Sequence, residues 1–236
     1  MKKMDLHVHT TCSQHWIWGP DAVSTPRQVV KTAIGKSLSG IAVTDHDTLR
    51  GGLVASKIAR KLDKDFLVIP GVEVRCREGD IIALGLKNEP KGHMGNFSAV
   101  EAVEVLRDMG ALVIAPHPFG WGGVGKHLDD AGFDAVEGFN ASQLRCVNTR
   151  AKMAAYKLGL PTVAGSDAHY HVNVGNGLTA IDCDESSVDS ILAAIGKGKV
   201  KICQEKRTRN RLIVYTFRVA TFYQAILLGL PTCNEY

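Results

Sequence analysis

No apolar run in this chain reaches the roughly 20 residues that a membrane-spanning helix needs. The longest such stretch near the C-terminus, VATFYQAILLGL, reads as a packed helix. A strong charge of either sign is also lacking: 28 Lys and Arg stand against 24 Asp and Glu, a net charge of +4. So weak a basic balance does not favour nucleic acid as a partner, though it suits a small anionic substrate. The six cysteines, at 12, 76, 146, 183, 203 and 233, form no C-x-x-C pair. No secretory leader precedes them, because Lys2, Lys3 and Asp5 run straight into a strand-like segment. Reduced thiols and a cytoplasmic location are therefore expected. There is no internal repeat and no linker long enough to divide domains. GWGGVG, the richest glycine cluster, lacks the G-K-[ST] ending of a phosphate-cradling loop and reads as a mobile rim loop.

What the chain does have is an alternation of strand-like and helix-like segments. MDLHVH reads as a strand, and TPRQVVKTAIGKS as a helix with Thr25 placed to cap it and Pro26 in its first turn. SGIAVTD is a strand. TLRGGLVASKIARKL is helical in period, although Gly51 and Gly52 weaken its start. DFLVIPGVEVRC is a strand interrupted at Pro70-Gly71, and DIIALGL another. The helix FSAVEAVEVLRDMG, the strands ALVIAPHP and FDAVEGFN, the helix VNTRAKMAAYKLG and the strand LPTVAGSDAH follow, before LTAIDC, a last helix and KVKIC. Such alternation implies a mainly parallel sheet covered by helices. Residues 206–236 differ: a basic KRTRNRL precedes an apolar, aromatic segment, expected to be a helix packed on the preceding domain of residues 1–205.

The polar residues gather where strands end. His7 and His9 are spaced i, i+2, so on a regular strand both face one side. Two neutral imidazoles on one face are a ready pair of metal ligands. Later strands end in TDHDT (Asp45, His46, Asp47), GVEVR (Glu73), APHPF (His117) and GSDAH (Asp167, His169), while Asp80 opens the DIIALG strand. Carboxylates and imidazoles converging away from water are costly unless a cation neutralises them. In (β/α) barrels, strand ends of this kind carry the site.

The ordered set H-x-H-T-x-x-S, T-D-H-D-T, G-x-E, H-P-F and S-D-A-H resembles the PHP (polymerase and histidinol phosphatase) domain family, from about residue 4 to about residue 203. The resemblance implies a distorted (β/α)7 barrel of the TIM type, two or three divalent ions (Zn, Mn or Fe) at its C-terminal rim, and hydrolysis of phosphoesters. It implies that His7, His9 and Asp167 hold one metal. Glu73 would bridge to a second with His117, and His46 and His169 would complete the cluster. Catalysis would centre on Glu73, His46 and Asp167. Two positions depart from the family pattern. Gln14 stands where many members have aspartate, so His15 is expected to take the ligand role. Asp80 stands where relatives often have histidine, and as a carboxylate it can still ligate.

Closely spaced divalent ions lower the pKa of a bridging water, and the resulting hydroxide attacks phosphorus. Cys12 reads as a small buried side chain rather than a catalytic thiol. Arg75, Arg145 and Arg150, together with Arg77 and Lys126, are candidate grips for a substrate phosphate, although each singly reads as a solvated charge. His93, His127 and His171 carry weaker cases. The leading reading is a metal-dependent phosphoesterase acting on a small phosphate ester or nucleotide. Two alternatives stand beside it. One is an amidohydrolase-like C–N hydrolase. The other is a non-catalytic RNA-binding subunit that uses the basic 197–211 stretch.

Overall fold

A computed structural model describes residues 1–15, 19–90 and 94–208 of the chain. Its framework is one nine-stranded sheet. In chain order the strands are β1 (Lys2–Val8), β2 (Gly40–Val43), β3 (Leu67–Arg75), β4 (Asp80–Leu84), β5 (Leu112–Ala115), β6 (Ala135–Asn140), β7 (Thr162–Gly165), β8 (Gly177–Ile181) and β9 (Val200–Glu205). The helices are α1 (Pro26–Gly35), α2 (Arg50–Leu62), α3 (Ala99–Asp108), α4 (Arg145–Leu158) and α5 (Val188–Gly196). Across the sheet the strands run β9-β8-β1-β2-β3-β4-β5-β6-β7.

The sheet curls until its seventh strand meets its first. A parallel bridge joins Val8 to Ala168, Asp167 N donates to His7 O at 2.8 Å, and His9 N donates to Ala168 O at 3.0 Å. Below this seam, β8 pairs antiparallel with β1. The Thr179 hydroxyl accepts from Ala164 N at 2.8 Å and donates to Ala164 O at 3.1 Å, tying β8 to β7 through a side chain. The expected barrel is thus present, with a different connectivity from a strict (β/α) repeat. β3 and β4 form an antiparallel hairpin, β4 and β5 are also antiparallel, and a short 3-10 turn replaces a helix between β5 and β6.

Alternation along the strands divides the apolar residues between two sides of the wall. Ile41, Val43, Val68 and Val8 pack outward with Val29, Val30 and Ala33 of α1 and with Ala55 and Ala59 of α2. Val72, Val74, Ile81, Val113 and Val136 pack outward against α3 and α4. Met4, Leu6, Ala42, Ile69, Ile82, Leu84, Ile114, Ala135 and Val163 fill the interior together with Ile191 and Ile195 of α5. Pro70-Gly71 does not interrupt β3. It marks where the strand changes partner, from β2 over Leu67–Pro70 to β4 over Gly71–Arg75. Thr25 caps α1 in a reciprocal box with Gln28, and Ser98 caps α3 likewise with Glu101.

Gly51 weakens α2 only in propensity. A Cβ there would collide with the Asp45 carboxylate and the Thr10 hydroxyl, so glycine lets the helix seat against them. Cys76, Cys146, Cys183 and Cys203 are free thiols. No helix among the described residues is long and apolar enough to cross a membrane. The C-terminal helix expected within 206–236 falls beyond Thr208, outside the described residues.

Candidate metal centre

β1 is where the site begins. Its pairing with β2 shifts register between Asp5 and Val8, so the strand carries a bulge there. Met4 and Leu6 face the interior, whereas Val8 faces the helices. The bulge turns His7 and His9 inward at the C-terminal mouth, and both are buried. Their Nε2 atoms lie 3.0 Å apart.

Glu73, inward-facing between the outward Val72 and Val74, sits at the centre. Its Oε2 lies 3.2 Å from His7 Nε2, 3.1 Å from His9 Nε2 and 3.6 Å from His46 Nε2, and its Oε1 lies 3.1 Å from His117 Nε2. Asp167 Oδ1 stands 3.6 Å from both His7 and His9 Nε2. His169 stacks on His9 with ring centroids 4.2 Å apart. Its Nε2 is 3.1 Å from Asp21 Oδ2, which is also 3.4 Å from His46 Nε2. Three ligand groups result: His7, Glu73 and His117; His7, His9 and Asp167; and His9, Asp21, His46 and His169.

Backbone conformation helps to aim these groups. His117 (φ 29°) and Asp167 (φ 51°) both adopt positive φ just past a strand end, as does Asp47 (φ 55°). Non-glycine residues avoid this region unless their surroundings impose it, and such residues cluster at functional sites. Here His117 N donates to Glu137 Oε2 at 2.8 Å, and Asp47 N donates to Glu73 O at 3.1 Å.

Glu137, an inward acid on β6, organises the floor. Its Oε1 lies 3.0 Å from His7 Nδ1, and its Oε2 also accepts from Asn140 Nδ2 at 2.9 Å. A carboxylate on Nδ1 keeps the proton there and leaves Nε2 as a lone-pair donor toward the cluster. Asp45 accepts from Thr10 N at 2.5 Å and from the Thr10 hydroxyl at 2.7 Å, fixing the turn after β1.

Electrostatics show what the cluster lacks. Burial by itself would depress the His7 pKa, yet Glu137, Glu73 and Asp167 hold it well above its usual value. Burial likewise works against His117 and His46, but Glu73 raises His117 to about 9, and Glu73 with Asp21 raises His46. Burial opposes ionisation of Glu73, while His7 and His46 hold its carboxyl well below the ordinary range. His9 moves the other way, lowered by burial. The carboxylates thus call for positive charge, which protons supply when no metal does. With imidazoles neutral, Glu73, Glu137, Asp21 and Asp167 place four negative charges in a largely buried site, and divalent ions are the compact way to neutralise them. The separations agree: ligands about 2.1 Å from a tetrahedral ion stand about 3.4 Å apart. His/Asp/Glu donors suit Zn, Mn or Fe.

Of the residues expected from sequence, the structure brings together His7, His9, His46, Glu73, His117, Asp167 and His169. The His15 side chain lies outside the described residues, and His93 does too. Asp21, which the sequence reading passed over, supplies the carboxylate beside His46 and His169. Its one signal was an acid in the loop that follows H-x-H. Glu137 was also missed; its signal was a lone acid inside the apolar strand DAVEGFN. Asp80 falls outside the three ligand groups. Arg75 holds it, with Nε 2.7 Å from Oδ1 and an Nη donating to Oδ2 at 3.1 Å. Burial and the Glu73 charge raise the Asp80 pKa to about 7. Arg75 is therefore occupied by Asp80, while Arg145 and Arg150 lie on α4. The glycine loop expected to be mobile is fastened: Gly122 O accepts from Asp80 N at 2.7 Å and Gly125 N donates to Pro118 O at 2.7 Å. His171 is engaged away from the cluster with the Ser24 hydroxyl at 2.9 Å.

Residues 147–200 match the model of the PHP-associated family. An uncharacterised protein of Methanocaldococcus jannaschii is 38% identical over 146 residues, covering 59% of this chain and 82% of that protein. A 5'-3' exoribonuclease of Haemophilus influenzae is 29% identical over 76% of this chain, which spans 59% of the enzyme's length. Among solved structures, a two-domain protein of Bacteroides vulgatus containing a predicted PHP-like metal-dependent phosphoesterase superposes with a TM-score of 0.67. It shares 19% identity, and the match covers 86% of this chain and 65% of that one.

Proposed function

Because the chain belongs to the PHP family, we propose that it is a metal-dependent phosphoesterase that hydrolyses a phosphate ester at the mouth of the barrel. One observation carries the reading: four histidine Nε2 atoms lie within 3.1–3.6 Å of the single carboxylate of Glu73. No salt bridge or catalytic dyad needs four imidazoles on one acid, whereas a multinuclear metal cluster does.

In this reading His7, His9 and Asp167 hold one ion, and Glu73 and His117 extend the cluster to a second. His46, His169 and Asp21, with His9, offer a third position. Bound divalent ions supply a water of lowered pKa and a counter-charge for phosphoryl oxygens. The protein's own residues do the remaining work. Glu137 keeps the His7 Nδ1 proton in place, and Asp45 fixes the turn that carries Thr10. Asp80 holds Arg75 beside the rim, so that guanidinium is neutralised instead of gripping substrate. Among the histidines of the cluster, His46 and His169 are the most exposed, at 14% and 11%.

Metal analysis of the purified protein should find two or three divalent ions per chain. p-Nitrophenyl phosphate, its bis ester or a nucleotide should release product, and Glu73→Ala should abolish turnover. Full activity in Glu73→Ala, or no turnover with Mn or Zn supplied, would overturn the reading. Release of phosphate also separates it from C–N hydrolysis, and tightly held metal separates it from a non-catalytic RNA-binding subunit.

A further inference from the structure

Glu137 and Asn140 of β6 are three positions apart, so an unbroken strand would send them to opposite sides. The pairing of β6 with β7 steps from Glu137 opposite Val163 to Phe139 opposite Ala164, which leaves Gly138 as an extra residue and the strand bulged. Asn140 therefore turns inward beside Glu137, and both are buried.

The Asn140 amide can lie only one way. Ser142 N, which can only donate, reaches Asn140 Oδ1 at 2.8 Å, so the NH2 group is left to the acids. It donates to Glu137 Oε2 at 2.9 Å and to Asp167 Oδ2 at 3.4 Å. Asn148 of α4 fixes the backbone of the same residue. Its Oδ1 accepts from Asn140 N at 3.1 Å, and its Nδ2 donates to Asn140 O at 3.0 Å. The Ser142 hydroxyl ties the same turn to Asp167 O at 3.3 Å.

The consequence falls on the two oxygens of Asp167. Oδ1 stands 3.6 Å from the Nε2 atoms of His7 and His9 and 3.4 Å from His169 Nδ1. Oδ2 hydrogen-bonds, among the described residues, to Asn140. An untethered carboxylate turns about its last bond and offers an ion either oxygen or both. Held by Asn140, it presents Oδ1. An amide achieves this without charge, whereas a lysine or arginine in its place would offset the negative charge that draws divalent ions to the site.

We infer that Asn140 is a positioning residue of the metal centre. It selects Oδ1 of Asp167 as the ligating atom and joins that choice to Glu137, which holds His7, while Asn148 anchors it on α4. This role rests on the metal centre of the phosphoesterase reading and deepens it.

The test is cobalt(II) binding to the full chain, read by chelator competition and by the visible spectrum. Cobalt's visible bands weaken as its coordination number rises, so they report a carboxylate that ligates through two oxygens instead of one. Asn140→Leu keeps the branched shape and removes both donors. It should weaken cobalt binding about 10–100-fold and lower the band intensity per bound ion. Asn148→Ala leaves the amide in place but loosens it, and should move both readouts in the same direction by a smaller factor. Asn176→Leu is the control: Asn176 is also buried, and its amide donates to Thr208 Oγ1 at 3.2 Å. That change should lower the thermal midpoint of the metal-free protein and leave cobalt affinity and spectrum as in wild type.

Wild-type affinity and spectrum in Asn140→Leu and Asn148→Ala alike overturn the assignment. A loss of affinity in Asn176→Leu as large as in Asn140→Leu also overturns it, because affinity would then follow stability alone. Turnover of bis-p-nitrophenyl phosphate with cobalt binding indifferent to Asn140 removes the positioning role and leaves the phosphoesterase reading intact. Cobalt binding that depends on Asn140, without turnover under any metal, does the reverse.

Discussion

Glu137→Gln isolates one atom's role. In the native site the two oxygens of Glu137 divide the work: Oε1 meets His7 Nδ1 at 3.0 Å, and Oε2 takes donors from His117 N at 2.8 Å and Asn140 Nδ2 at 2.9 Å. Glutamine has the same shape but only one acceptor oxygen. If that oxygen stays with His117 and Asn140, its NH2 faces His7 and requires Nδ1 to accept. The His7 proton then moves to Nε2, the atom 3.2 Å from Glu73 and 3.0 Å from His9, and a protonated Nε2 cannot ligate. If the amide turns the other way, two donors at His117 and Asn140 lose their acceptor, at about 1–3 kcal/mol each. The first arrangement costs less and weakens metal binding about 10–100-fold, the range typical of a lost partner behind a histidine ligand. That corresponds to about 1.4–2.7 kcal/mol. Chelator competition followed by metal analysis measures it, with the thermal midpoint of the metal-free protein as a control for folding. Wild-type metal affinity in Glu137→Gln would refute the tautomer argument.

Three other outcomes are expected. Asp21→Ala should remove the ion of the His9, His46 and His169 group and leave the His7, Glu73 and His117 group loaded, so metal per chain should fall by about one by mass spectrometry. Gly51→Ala places a methyl group on the Asp45 carboxylate and Thr10 hydroxyl, and should lower unfolding free energy by about 1–3 kcal/mol in urea. Asp5 is fully buried between Ser166 N at 2.9 Å and Gly175 N at 2.7 Å, and burial raises its pKa to about 6. A carboxyl that binds its proton more tightly when folded stabilises the fold less as pH rises. Its contribution should therefore decline by about 2 kcal/mol between pH 4 and pH 6. A carbon-13 carboxyl titration with a midpoint near 4 would contradict this.

Much of the fold can be read along the chain because its determinants are local. Thr25-Pro26 and Ser98 with Glu101 announce helix starts, and short apolar runs announce strands buried on both faces. The connectivity around β4 was not legible, since a strand's direction depends on the partner it meets and not on its own pattern. The same limit applies to Pro70-Gly71: a breaker in sequence can serve as the point where a strand changes neighbours.

For the site, the types and order of His7, His9, Glu73, His117, Asp167 and His169 pointed to metal chemistry before any geometry was known, because few other arrangements call for imidazole and carboxylate at successive strand ends. Their facing was a matter for the tertiary structure. On an unbulged β1, the interior would take Met4, Leu6 and Val8 and leave both histidines against the helices; the shift between Asp5 and Val8 reverses that. Packing also paired Asp80 with Arg75, brought Asp21 to His46, and set Glu137 behind His7. It brought Lys126, Arg145, Arg150 and Lys157, spread over 32 positions of the sequence, to the lining of one cleft. Sequence determines which groups are available, because side-chain chemistry is local. Only folding decides which of them share a volume, because that depends on where the barrel closes.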